Sequence, residues 1–191
     1  MEKKYIFGEN YSLEKEFFYA YSPRCQSFTQ FDLNKDFITN RTNSDIDAGF
    51  DYVSISLKQK QSAPLNLSTE CEFDVFGAPL IVIAENVFEK DGKIFYGEHV
   101  EVVAYEEGIN VWFIKPDKKK ITAVKLIAQK KFLVKEKEKF ILNVEVKNGE
   151  IIAKIGDNVL IVPYKLPKEF YVGITACEGI NKFYNFNVES K

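Results

Sequence analysis

The 191-residue chain carries 26 basic and 28 acidic residues, a formal charge of −2, with 46% hydrophobic side chains and only 10 Gly and 6 Pro. That apolar content excludes intrinsic disorder, and the scarcity of Gly and Pro excludes collagen-like or low-complexity character. No uninterrupted apolar run approaches the roughly 20 residues of a membrane-spanning helix, and a chain of this length suits one sizeable core, so a single domain over residues 1–191 is expected.

Val, Ile and Phe together supply 51 residues, against 22 for Leu, Ala and Met. Branched and aromatic side chains suit a pleated, half-buried surface, whereas Leu and Ala lead in helices. Composition therefore favours β-sheet before any periodicity is read. Positive charge is almost wholly Lys, with Arg24 and Arg41 the two arginines. Arg is the usual reader of phosphates and bases, so neither a nucleic-acid nor a membrane partner is expected. Cys25, Cys71 and Cys177 lie far apart, without a CxxC pair. An odd count without zinc-ligand spacing predicts free, mostly buried thiols and a reducing compartment. Met1–Gly8 opens with charge and leads into no apolar segment. The expected location is cytoplasmic, or else the chain is a mature form whose signal has been removed.

Residues 1–48 are the least regular stretch. Phe17, Phe18, Tyr19 and Tyr21 form an aromatic cluster, and Asn and Asp interrupt the sequence from 32 to 47. One early strand with long loops is expected there, as an irregular wrap on the sandwich. From residue 50 the texture becomes strand-like: Phe50–Leu57, Phe73–Phe76, and the continuous apolar run Leu80–Ala84. Turn signals then recur at short spacing. Asp91-Gly92 separates Val87-Phe88 from Ile94–Tyr96, and Glu106-Glu107-Gly108 separates His99–Tyr105 from Ile109–Ile114. Asn148-Gly149 joins Ile141–Val146 to Ile151–Ile155, and Gly156-Asp157-Asn158 repeats the device before Val159–Val162. Asn-Gly between alternating apolar runs predicts a hairpin closed by a type I′ turn, which needs positive φ at both central residues. Residues 118–139 also offer helical spacing through Ile121, Val124, Ile127 and Ala128. The alternation of Thr122, Val124, Leu126 and Ala128 and the β-branched content favour a strand. About a dozen strands with no clear helix predict an all-β, antiparallel two-sheet β-sandwich.

Two segments add a resemblance. Lys139–Val146 followed by Asn148-Gly149-Glu150-Ile151 and Gly156-Asp157-Asn158 is similar to a recurrent hairpin of laminin-G-like and concanavalin A-like domains. Tyr171-Val172-Gly173-Ile174 and the closing Phe183-Tyr184-Asn185-Phe186-Asn187-Val188 resemble the last two strands of that superfamily. The match covers about a quarter of the chain and concerns scaffold positions. It implies a jelly roll whose concave face holds carbohydrate, and it transfers no function by itself.

The residues that could carry chemistry concentrate between 96 and 112. On a strand, residues i and i+2 share a face, so His99, Glu101 and Tyr105 point one way and Glu98, Val100 and Val102 the other. Asn110 and Trp112 share a face of the next strand. If the register matches, these side chains make one surface suited to a sugar. The indole stacks on a pyranose face, and the polar groups, with Tyr96, bond its hydroxyls. Against this stands the plainer reading, in which His99 is a satisfied structural residue and the sole Trp belongs to the core. A second candidate is the turn Cys177-Glu178-Gly179-Ile180-Asn181, where Glu178 follows an apolar strand and Asn181 offers a further contact; the plainer reading has both satisfying backbone groups.

Hydrolysis of a glycoside needs two carboxyl groups about 5–10 Å apart. The Glu-x-Asp-x-x-Glu strand of jelly-roll glucanases is absent. Catalysis would therefore need a pair such as Glu101 with Glu178; a lyase-type alternative would use His99, or a Tyr such as Tyr105 or Tyr184, as base. For metal, Asp45, Asp47 and Asp51 give a weak calcium signal without EF-hand spacing. No other cofactor is expected. Three readings stand open: a lectin-like glycan-binding domain, a glycoside hydrolase, or a structural or protein-interaction module.

Overall fold

The computed structural model describes residues 2–23, 25, 28–40, 52–74, 76–116 and 123–190. Among these residues the early elements are β1 (Glu2–Ile6), the helical turn α1 (Leu13–Glu16), β2 (Phe17–Tyr19), β3 (Asp32–Leu33), β4 (Ile38–Thr39) and β5 (Tyr52–Leu57). The middle of the chain supplies β6 (Leu65–Asp74), β7 (Ala78–Ala84), β8 (Val87–Lys90), β9 (Lys93–Tyr96), β10 (His99–Tyr105), β11 (Gly108–Lys115) and β12 (Ala123–Lys131). It ends with β13 (Phe140–Lys147), β14 (Glu150–Ile155), β15 (Asn158–Pro163), β16 (Tyr171–Cys177), β17 (Ile180–Phe183) and β18 (Asn185–Ser190).

The strands form two large antiparallel sheets. A nine-stranded sheet runs β15-β14-β13-β6-β17-β4-β3, with β18 also beside β6 and β1 beyond β18. A seven-stranded sheet runs β12-β11-β10-β7-β16-β5-β2. Strands β8 and β9 form a separate hairpin. The main core lies between the large sheets, joining Leu65, Leu67, Leu142 and Val144 of one to Ile81, Val100, Val102 and Ile174 of the other. Each such side chain contributes about 1.5–3 kcal/mol on full burial.

Burial patterns distinguish strands by position. In β6 burial alternates strictly, with Leu65, Leu67, Thr69, Cys71 and Phe73 inward. In β7 every residue is buried. Its continuous apolar run fits a strand covered on both faces, and a second apolar cluster does cover it. Tyr52, Leu80, Val82, Ala84, Tyr96 and Val103 belong to this cluster on the outer face of the seven-stranded sheet.

Several expectations change. Residues 2–40 contribute four short strands and a helical turn in place of one strand and loops. They enter both sheets: β1 pairs with β18, β2 with β5, and β4 with β17. Residues 123–131 are a strand, β12, as the alternation predicts. A register shift opposite Val111/Trp112 makes Val111 face Ala128 while Trp112 faces Leu126. The turns also differ from one another. Asp91 and Gly92 both have positive φ, 54° and 71°, as type I′ requires. At Asn148-Gly149 only Gly149 does, with φ 96°. The Asn-Gly hairpin therefore forms, but not through the predicted I′ geometry.

Candidate functional site

Strand register assembles the outer face of the seven-stranded sheet into rows. One row reads Ile114–His99–Ala84–Tyr171. The next reads Leu126–Trp112–Glu101–Val82–Gly173–Ser56. A third reads Gln129–Asn110–Val103–Leu80–Thr175–Ser54. His99, Glu101, Asn110, Trp112 and Tyr105 thus share one face, because Glu101 pairs with Trp112 and Val103 with Asn110.

The two halves of this face have different environments. Over β7, β16 and β5 it is roofed. Glu85 N–H donates to the Glu98 carbonyl (2.9 Å) and Gly97 N–H to that of Asn86 (2.8 Å), so the β8–β9 hairpin springs from the end of β7 and β10. Tyr21 then ties the hairpin down: its N–H donates to the Ile94 carbonyl (2.9 Å) and its carbonyl accepts from Tyr96 N–H (3.0 Å). Phe95 packs among Tyr21, Phe28 and Phe88. Tyr96 is driven inward, 1% exposed. Its hydroxyl lies 2.9 Å from Ser54 Oγ, which in turn lies 2.6 Å from Thr175 Oγ1. Burial holds the Tyr96 phenol well above its ordinary pKa, against the lowering effect of its hydroxyl partners. The phenol stays neutral, and either hydroxyl of the Tyr96–Ser54 pair can donate.

His99 and Glu101 lie under the edge of this roof, 0% and 2% exposed. His99 Nδ1 is 2.7 Å from the Gly97 carbonyl, which can only accept, so Nδ1 carries a hydrogen. Nε2 lies 3.3 Å from Glu101 Oε1. The pair serves as an internal polar link. The expectation that His99 and Glu101 touch a ligand is corrected: the structure encloses them, with side chains 0% and 3% exposed and their polar atoms turned to each other and to the Gly97 carbonyl. Tyr96 is likewise a roof residue and not a contact.

Over β11, β12 and the Tyr105 end of β10 the face is open. Trp112 and Tyr105 are partly buried where they pack against the edge of the second cluster. Leu126 is 39% exposed. Gln129, absent from the residues expected at the site, donates from Nε2 to the Tyr105 hydroxyl at 2.7 Å. Its signal in the sequence is a polar residue continuing the alternation of β12. Asn110 Oδ1 is buried and accepts no hydrogen bond among the described residues.

The turn between β16 and β17 is a different place. Glu178 has φ 57°. Its carbonyl accepts from Asn181 Nδ2 (2.9 Å) and Asn40 Nδ2 (3.3 Å). Asn181 is fully buried and also donates from Nδ2 to the Cys177 carbonyl (3.2 Å). Asn40 Oδ1 accepts from Asn181 N–H at 2.9 Å. Asn181 is therefore a turn staple, not a ligand contact. Glu101 is in register with Gly173, five residues before Glu178 and two strands away. Strand rise and spacing put the Glu101 and Glu178 backbones roughly 19 Å apart. The structure does not bring this carboxylate pair together.

Among the described residues no group of three or more His, Cys, Asp or Glu is arranged to hold a metal, and no helix is long and apolar enough to cross a membrane. Asp45, Asp47 and Asp51 lie outside the described residues. Cys71 and Cys177 are buried and Cys25 partly so, all three as free thiols. Two shallow depressions lie elsewhere, one on the outer face of the nine-stranded sheet around Asn66, Asn143 and Lys154, the other beside β1 and α1. Neither is lined by Trp112.

No protein-family model matches the chain, and no curated protein sequence is similar to it. Solved structures are similar. The carbohydrate-binding module CBM66 from Bacillus subtilis aligns with TM-score 0.61 at 15% identity, over 90% of this chain and 99% of that one. The legume lectin-like domain from Entamoeba histolytica aligns with TM-score 0.61 at 13% identity, over 97% and 96%. β-Agarase A from Zobellia galactanivorans aligns with TM-score 0.67 at 10% identity, over 100% and 92%. At such identities the likeness concerns the fold, and with the two antiparallel sheets it shows that this chain has the concanavalin A-like jelly-roll fold.

Proposed function

We propose that the chain binds carbohydrate on the open half of the outer face of the seven-stranded sheet. Trp112 is the platform, and Tyr105 and Gln129 are the polar contacts; Asn110 lies beside them with its Oδ1 too buried to meet a ligand. The observation that carries this reading is the juxtaposition of a partly exposed indole with the Gln129 amide and the Tyr105 hydroxyl, joined at 2.7 Å on the same face. An aromatic face plus uncharged donors and acceptors matches a pyranose, which presents C–H groups on one face and hydroxyls at its rim. The similar structures lend support, since they include a carbohydrate-binding module, a legume lectin-like domain and an agarase. Binding fits better than hydrolysis, because Glu101 is closed off and Glu178 is remote.

Trp112 is the sole tryptophan, so its fluorescence reports on the site directly. A titration against agaro-, manno-, xylo- and cello-oligosaccharides should shift its emission and protect it from acrylamide quenching for at least one series. An emission unmoved by every series, with no binding by calorimetry, overturns the proposal.

A further inference from the structure

We propose that this site takes the end of a glycan chain and not its middle, an inference that rests on the carbohydrate reading above. Exposure falls steeply across the strip from the sheet edge inward. Leu126 on β12 is 39% exposed and Trp112 and Asn110 on β11 are partly buried. On β10, Glu101 is 2% and Val103 8% exposed, and on β7 Val82 is 1% and Leu80 0%. The roof causes this fall. The β8–β9 hairpin stands above the sheet, with Tyr96 seated on Ser54 and 5.4 Å from the His99 ring. The strip is also closed toward the row of His99, where Ile114 is fully buried. Among the described residues it opens over the β12 edge and toward Tyr105 and Gln129.

From β12 to β10 is two strand spacings, about 10 Å, the length of a disaccharide, with a third sugar overhanging the β12 edge. A chain crossing the whole sheet would have to pass through the hairpin. A terminal sugar can instead seat on Trp112 with its end against the wall. The contacting groups are the Gln129 amide and the Tyr105 phenol. The nearby Lys131 is paired with Glu107 at 3.2 Å. The ligand class is therefore a neutral terminal mono- to trisaccharide.

The test uses the full chain with agaro-, manno-, xylo- and cello-oligosaccharides of one to six residues and their parent polysaccharides. For the series that binds, affinity should rise up to two or three residues and then stay within about twofold up to six. The capacity of the parent polysaccharide per gram should increase in proportion to the chain ends created by partial endo-hydrolysis. Affinity still climbing about tenfold or more between trimer and hexamer, or a capacity indifferent to new ends, overturns end recognition while leaving carbohydrate binding intact. Failure of every saccharide to bind overturns the carbohydrate reading, and end recognition with it.

Discussion

Replacing Trp112 by alanine separates a ligand platform from a core residue, because only a platform moves saccharide affinity as well as stability. Trp112 is partly buried against the cluster around Leu80, Val82 and Val103. An indole covers on the order of 200 Å² when fully enclosed. Well over half of that is covered here, on the order of 130–180 Å², which at about 25 cal/mol per Å² is worth roughly 3–4.5 kcal/mol, an upper figure because the unfolded chain already covers part of it. For a chain of this size about 1 kcal/mol moves Tm by roughly 2–4 °C. Trp112→Ala should therefore stay cooperatively folded with Tm lowered by roughly 6–18 °C. Affinity for the saccharide that binds the native chain should fall at least about tenfold, equivalent to about 1.4 kcal/mol. Trp112→Phe, which keeps a ring, should lose less on both counts. Urea unfolding monitored by far-UV circular dichroism gives the first quantity and calorimetric titration the second. Unchanged affinity in a folded Trp112→Ala chain would show that the indole works for the core.

The same geometry sets other outcomes. Tyr96→Phe removes one buried hydroxyl but leaves Ser54 its contacts to Thr175 and Ile174, so urea unfolding should show a loss of about 1 kcal/mol; Tyr96→Ala, which empties the ring site under the roof, should lose about 3–5 kcal/mol. Gly173→Ala would drive a Cβ into the Ile55 carbonyl of the neighbouring strand, and expression with thermal melting should show severe destabilisation, since backbone cannot give way as a side chain does. Glu178→Gln should leave saccharide affinity within about twofold, because its part in the turn is played by its carbonyl; a roughly tenfold loss would return Glu178 to the binding site. Burial and the nearby Glu98 raise the Glu85 carboxyl above its ordinary pKa, with Lys115 opposing. A carboxyl raised in the folded state favours folding when protonated and penalises it once ionised. Glu85→Gln should therefore be the more stable form at neutral pH, and its advantage should shrink as pH falls through the Glu85 range; equal unfolding midpoints at neutral pH would contradict this.

The fold was legible because its signals are local. Alternation in Ile141–Val146, the Asp91-Gly92 and Asn148-Gly149 turns, and the excess of branched and aromatic residues each bias a short segment toward strand and hairpin. The lining of the site was partly legible for the same reason: period-two geometry puts His99, Glu101 and Tyr105 on one face and Asn110 with Trp112 on another. Whether those faces coincide depended on register, which pairs Glu101 with Trp112. What tertiary structure alone decided is access. Val87–Tyr96 reads as a hairpin in any context, but nothing within it says that it folds back over β7, β16 and β5 and meets Tyr21. That contact buries His99, Glu101 and Tyr96 and leaves Trp112, Asn110, Tyr105 and Gln129 on the open side. Likewise, the separation of Glu101 from Glu178 comes from strand order in a sheet whose neighbours are distant in sequence. Local propensity fixes which side chains share a strand face; long-range packing fixes which of them solvent, and therefore a ligand, can reach.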